Sequence, residues 1–338
     1  MVSNKTHDRI VWLDILRIFA IFMVVATHTL FLKDYVQKEI ITTTLFTIVP
    51  TCVPIFVMIS GALLLPGTEG VLTFYKKRFA KILPAWTFWV TFYILFEHAL
   101  GIHLIPEGNP FVFVVQKFLS RLWFLPLIFY LYLVTPWLRA VANKSKVFLP
   151  FVCSMWVLFI THLFVNALHG QGFNVPLLIQ FTGYYILGHL LAGIKQSKTV
   201  KYLSFAGIFL TMGIGGYLAT YTSLVPDFYF FNYMSPTTVI LSCFVFIFAQ
   251  QLFGNPKTFT NKKLKNLLTL ASLSAFGIYL IHESLFISFT FLFHDFNSYM
   301  LDKFTIPYTI LSVIALFLVS FFFVYLIRKS RLGRLITP

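Results

Sequence analysis

The chain has 338 residues, 58% of them hydrophobic and only 11% charged, with a formal net charge of +15 and a mean hydropathy of +0.83. That balance excludes a water-soluble globular enzyme and reads as an all-α integral membrane protein, because a backbone in hydrocarbon must satisfy its own hydrogen bonds. The apolar runs follow one another with short polar breaks. Residues 1–338 therefore read as a single transmembrane domain without a soluble catalytic domain, and any chemistry lies inside the bundle or at its mouths.

Ten spans are predicted near 11–31, 42–65, 83–100, 122–140, 147–168, 176–194, 202–222, 235–253, 268–293 and 305–327. Alternate connections then differ sharply in charge. One side holds 20 of the 26 Lys and Arg residues, among them Lys76, Lys77, Arg78, Lys81, Arg139 and the Lys262–Lys265 group. The positive-inside rule puts that side in the cytoplasm, so ten transmembrane helices leave both termini cytoplasmic. The basic excess is thus mainly a topology signal, and a nucleic-acid partner is not expected.

The first span carries Asp14, Arg17 and His28. It lacks a small-residue cleavage signature, so it reads as a retained helix. At ~100° per residue the eleven steps from Arg17 to His28 make about three turns, so the two face the same way ~16 Å apart along the axis. A charge in mid-bilayer costs on the order of 2.5–3.5 kcal/mol, so this stripe should face a wet or protein-lined interior. The competing reading is an Asp–Arg ion pair with a helix-packing histidine.

In the second span, Pro50 and Pro54 interrupt the backbone ladder and Ser60-Gly61 permits close helix approach, a pattern that shapes a cavity. The connection and helix start from Thr73 to Pro84 place Lys76, Lys77, Arg78 and Lys81 among Phe74, Tyr75 and Phe79. Such a stretch suits a phosphorylated, aromatic-bearing ligand, since Arg grips phosphate oxygens and rings stack on a purine. It is equally an ordinary anchor at the cytoplasmic interface. In the ninth span His282 and Glu283 are adjacent, so at most one of them shares a face with the first-span stripe. A carboxylate there can orient or recharge an imidazole, or the pair can simply hold helices together.

Other signals are weaker. Cys52, Cys153 and Cys243 lie in separate runs without metal-ligand or disulfide spacing, no His-rich zinc pattern occurs, and no metal is expected. Glycine-rich phosphate loops are absent as well, which argues against ATP-driven transport. Outer connections 101–121, 168–177, 223–234 and 294–304 contain residue types that contact sugars but that also populate membrane interfaces.

Taken in order, these segments resemble the membrane acyltransferase family 3 along the whole chain. Leu13-Asp14-Ile15-Leu16-Arg17 followed by His28 resembles the family's arginine, ten residues, histidine signature. Val53-Pro54-Ile55-Phe56 through Ser60-Gly61, the segment Arg78 to Pro84, Tyr185-Ile186-Leu187-Gly188 and Gly277 to His282 are similar to later family blocks. Two departures stand out. Lys81 occupies a place where the family often has a second arginine, and Arg121-Leu122-Trp123 one where it often has His-Leu-Trp.

The resemblance implies a short, bundle-only O-acyltransferase of a bacterial cytoplasmic membrane. It would move an acyl group, chiefly acetyl from acetyl-CoA, to a hydroxyl of an envelope glycan or lipid-linked glycan. Under this reading His28 is the general base, with Asp14 and Glu283 in supporting catalytic roles. Arg17, Arg78, Lys81 and Tyr75 hold the acyl-CoA, and Trp123, Arg121 and His282 meet the acceptor. The alternative is a flippase or exporter of a lipid-linked sugar, polysaccharide or small anion that carries out no covalent chemistry.

Overall fold

The computed structural model describes residues 10–30, 40–101, 122–169, 177–222, 229–255, 258–303 and 305–338. Arg121 and most of the outer connections at 101–121, 168–177 and 223–234 lie outside the described residues. Among the described residues there is no strand, and the elements run α1 (Val11–Leu30), α2 (Ile40–Phe46), α3 (Cys52–Leu64), α4 (Val71–Ala99), α5 (Phe124–Lys144), α6 (Phe148–Leu168), α7 (Leu177–Gln180), α8 (Thr182–Ala192), α9 (Lys198–Tyr221), α10 (Pro236–Phe253), α11 (Lys262–Leu292), α12 (His294–Lys303), α13 (Thr305–Ile327) and α14 (Arg331–Ile336).

Nine helical segments among these residues are long and apolar enough to cross a bilayer, and the chain is a multi-pass membrane protein. They overlap nine of the ten expected spans, although the third of them, α4, begins at Val71 and not near 83, so that the basic stretch read as a connection is helical. The remaining one, expected over 176–194, is broken at Phe181 into α7 and α8. Its position explains its brevity. Tyr184, Tyr185 and Ile186 are fully enclosed, so α8 is a core element whose flanks are covered by other helices.

Small residues let α8 come that close to α3. A Cβ on Gly61 would fall 1.7 Å from the carbonyl oxygen of Tyr185, and one on Gly188 would fall 2.0 Å from that of Met58. With no hydrophobic drive between helices in lipid, such backbone contact is a main source of association. The α2–α3 pair is bent as its prolines predict. A single 3-10 turn carries Pro50 at Val49–Thr51, and the Ile48 carbonyl accepts both the Thr51 backbone N–H at 3.1 Å and the Thr51 hydroxyl at 2.6 Å.

α1 sits at the centre, against α3, α11 and α13. α1 and α11 run side by side in the same direction. Asp14 and Arg17 near the start of α1 meet Ser272 of α11, and His28 near its end meets His282. The ten residues from Ser272 to His282 therefore match the stripe on α1 almost step for step. Both stripes rise about 15 Å along their axes.

Candidate active-site cavity

Between α1, α3, α4, α5 and α11 lies a cavity of about 330 Å³. Arg17, Arg78 and Lys81 line one end, while His28, Trp123 and Tyr279 line the wall elsewhere, with Ser272, Phe276 and Ser60 also contributing. The stripe on α1 thus faces a protein-lined interior.

At the basic end Asp14 is 3% exposed and accepts from the Ser272 hydroxyl at 2.6 Å and from Arg17 Nη1 at 3.1 Å. The same Nη1 donates to Ser272 Oγ at 2.8 Å. Asp14 is absent from the cavity wall, whereas Arg17 keeps 25% of its side chain exposed and lines it. The ion pair and the cavity-facing role therefore coexist. Asp14 and Ser272 offset the cost of desolvating the guanidinium and hold it in one direction.

Arg78 and Lys81 lie three residues apart on α4 and so share a face. Arg78 Nη2 is 3.5 Å from Glu69, and its guanidinium lies over the Phe74 ring at 5.5 Å. Its Nε is buried with no hydrogen-bond partner among the described residues. Arg139 of α5 also lies over Phe74, 4.7 Å from the ring centroid. Arg139 is buried and donates twice to the Leu64 carbonyl, closing the end of α3, and its Nη2 is 3.5 Å from Glu69. Partial burial works against the Glu69 carboxylate, but Arg78, Lys77 and Arg139 outweigh it and hold its pKa below the usual carboxylate range. One acidic residue thus serves three cations.

Tyr75 lies off the cavity wall. Its hydroxyl donates to the Leu133 carbonyl at 3.0 Å, and its ring stacks on Phe79 at 5.4 Å and 10°.

Near His28 the wall is aromatic and uncharged. Trp123 packs 5.6 Å from Tyr233, and Phe124 lies 5.5 Å from Tyr279. The His28 ring meets the His282 ring edge-on, with centroids 4.9 Å apart and planes at 67°. His282 is 1% exposed and lies behind the wall. Its Nδ1 is 3.0 Å from the Ile278 carbonyl and 2.8 Å from that of Tyr279. Carbonyls only accept, so Nδ1 bears the proton and Nε2 is left as an acceptor. That Nε2 is buried without a partner among the described residues. Glu283 is also buried and stays off the wall.

The sequence reading passed over Ser272, Tyr279, Tyr132 and Tyr233, all of which line the cavity. Ser272 carried one usable signal, its ten-residue spacing from His282. Arg139 was counted only as a topological charge, and its capping of α3 has no sequence signature. Among the described residues no cluster of three or more His, Cys, Asp or Glu side chains suited to a metal ion occurs.

Comparison with known proteins adds a family. The family model described as an acyltransferase domain, that of acyltransferase family 3, matches residues 10–328, and the chain belongs to this family. No curated protein and no solved structure matches it.

Proposed function

We propose that this membrane acyltransferase takes an acyl group, chiefly acetyl, from cytoplasmic acyl-CoA and transfers it to a hydroxyl of an envelope glycan or lipid-linked glycan. One observation carries the reading: a single cavity connects a basic end, formed by Arg17, Arg78 and Lys81, with the imidazole of His28. Phosphate oxygens of the donor would meet the cations, and the buried Arg78 Nε–H is a donor in need of such an acceptor. The pantetheine arm, long and thin, would then lie along the ~16 Å stripe and bring the thioester to His28.

At that level His28 removes the acceptor's proton as its oxygen attacks the thioester carbonyl, a form of help contributing roughly 10²–10⁴-fold. The nearby aromatic wall excludes water, which protects the thioester and strengthens every polar contact. Trp123 offers the acceptor sugar a flat apolar face. The topology that suits this traffic is the ten-span one. Both termini and the Arg78 segment then lie in the cytoplasm of a bacterial cell, with α7 and α8 together counted as one crossing. The membrane domain is then the whole catalytic unit.

The test uses inverted membrane vesicles given labelled acetyl-CoA, with label on glycan as the readout. Wild-type vesicles should transfer label, and His28→Ala vesicles of equal protein content should not. Equal transfer by both removes His28 from the mechanism. If deletion of the protein leaves glycan acylation unchanged but lowers polymer outside the cell, the exporter reading replaces this one.

A further inference from the structure

Residues 328–338 turn back against the bundle after α13. Gly333 packs so closely that a Cβ there would fall 1.7 Å from the Ile327 carbonyl oxygen, and the Ser330 hydroxyl accepts the Gly333 N–H at 2.8 Å. Trp89 of α4 donates its indole N–H to the Ile336 carbonyl at 2.9 Å, and the fully enclosed Thr337 lies beside Gly277 of α11. Arg328 donates to the Thr337 carbonyl. Pro338, next in the chain, lines the cavity that Arg17, Arg78 and Lys81 also line. The segment is thus a piece of the cavity wall, seated against both α4 and α11.

α14 has a different character on its other side. At ~100° per residue Gly333 points into the bundle, while Arg331, Leu332, Arg334 and Leu335 share the far side, arginines toward one edge and leucines toward the other. All four are exposed, Leu332 at 66% and Leu335 at 46%. Arg328 and Lys329 precede them, and the sequence carries no Asp or Glu after Asp302. None of these four cations enters an ion pair among the described residues. Arg334 Nη1 reaches to 3.5 Å from the Arg328 carbonyl, and partial burial together with that second positive charge lowers the Arg328 pKa. Cations that meet only one another lack an anion.

The place of the segment selects the anion. The last span ends at Ile327 and α14 begins at Arg331, so α14 lies at the membrane surface. A helix with cations on one edge and leucines on the other, at that depth, matches anionic headgroups and the acyl boundary beneath them. A soluble phosphate would engage the arginines without using the leucines. We propose that α14 is held down by anionic membrane lipid, with Arg331 and Arg334 on lipid phosphates and Leu332 and Leu335 in the acyl boundary, and that this grip keeps Pro338 in the cavity wall. The composition of the bilayer thereby sets how firmly one wall of the cavity is closed. This goes beyond the acyl-transfer reading and does not depend on it.

The test places the protein carrying Pro338→Cys in nanodiscs of phosphatidylcholine, with or without about a third phosphatidylglycerol, and follows labelling by a water-soluble maleimide. The protein without that substitution supplies the background, since Cys52 and Cys153 are buried and Cys243 is partly so. A basic residue near an anionic surface is worth about a fivefold change in binding, so phosphatidylglycerol should slow labelling by about 5- to 25-fold. Adding Arg331→Gln and Arg334→Gln should shrink that difference to less than about twofold, whereas Arg331→Lys and Arg334→Lys, which keep the charge, should preserve it. Equal labelling of Pro338→Cys in the two lipid mixtures overturns the proposal, as does a lipid effect that survives in the glutamine pair or is lost in the lysine pair. Inorganic phosphate added to the phosphatidylcholine discs should leave the rate unchanged. Slowing by phosphate alone would assign the arginines to a soluble anion and overturn the lipid assignment.

Discussion

The two levels of the cavity solve opposite problems. At the basic end two of the three cations have acidic partners: Arg17 has Asp14 as well as Ser272, and Arg78 shares Glu69 with Lys77 and Arg139 while its Nε is left without an acceptor among the described residues. Near His28 the wall is uncharged, and two buried polar atoms, the Tyr279 hydroxyl and His282 Nε2, have no partner among the described residues. A paired cation is preset in direction and can exchange a carboxylate for a phosphate at little cost, which suits binding. Unpaired neutral groups in a water-poor pocket suit chemistry, because they gain most when charge appears. The difference predicts that variants at the basic end move KM and variants near His28 move kcat.

Arg17→Ala should break that pattern most severely if it is wrong. Loss of a charged hydrogen-bonding group that meets the donor's phosphates costs roughly 1.5–3 kcal/mol, or about 10- to 150-fold in kcat/KM, carried by KM for acetyl-CoA. An unchanged kcat/KM would leave the arginine as the partner of Asp14 alone.

Ser272→Ala sharpens the comparison by leaving the ion pair and removing the hydroxyl that links it to α11. Its bonds are to charged Asp14 and Arg17, each worth about 1.5–3 kcal/mol, and the share that orients Arg17 toward the donor should raise KM for acetyl-CoA about fivefold with kcat held, as initial rates will show.

Glu69→Gln works in the other direction. Without its counter-charge the Arg78 and Arg139 pair should attract the donor's phosphates more strongly, lowering KM by about two- to threefold, an effect that shrinks as salt is raised. The pH dependence follows from the depressed pKa of Glu69. A carboxylate whose folded pKa lies below its unfolded value contributes its full stabilisation above the unfolded value, about 4.3, and loses it as pH falls through the folded one. The ratio of variant to wild-type KM should accordingly be flat from pH 6 to 8, measured by the same assay at fixed ionic strength.

Tyr75→Phe should have the smallest effect. It removes one partly exposed hydroxyl bond to Leu133, outside the cavity wall. KM for acetyl-CoA should stay within about twofold, whereas a larger rise would bring Tyr75 into the donor's site.

Much of this organisation was legible in the chain itself. Hydropathy marked nine of the ten expected spans, and helical spacing alone put Arg17 and His28 on one face. The short core helix α8 was less readable, because an apolar window does not reveal whether its sides meet lipid or other helices. Ser272 and Tyr279 looked like ordinary span residues. Their place in the cavity wall comes from α11 lying parallel to α1 at matching height, a relation between segments some 250 residues apart that no local pattern encodes.

What residue order determined by itself was the membrane habit, the cost of Asp14, Arg17 and His28 in hydrocarbon, and so the need for an interior that receives them. Only the packed bundle decided which helix supplies the facing wall, how Asp14 and Glu69 divide the cations between them, and which buried hydroxyl is left without a partner. The physical reason is that periodicity fixes directions about one helix axis, whereas partners, distances and enclosure depend on how several axes are set against each other, and here close contacts at Gly61 and Gly188 set part of that arrangement.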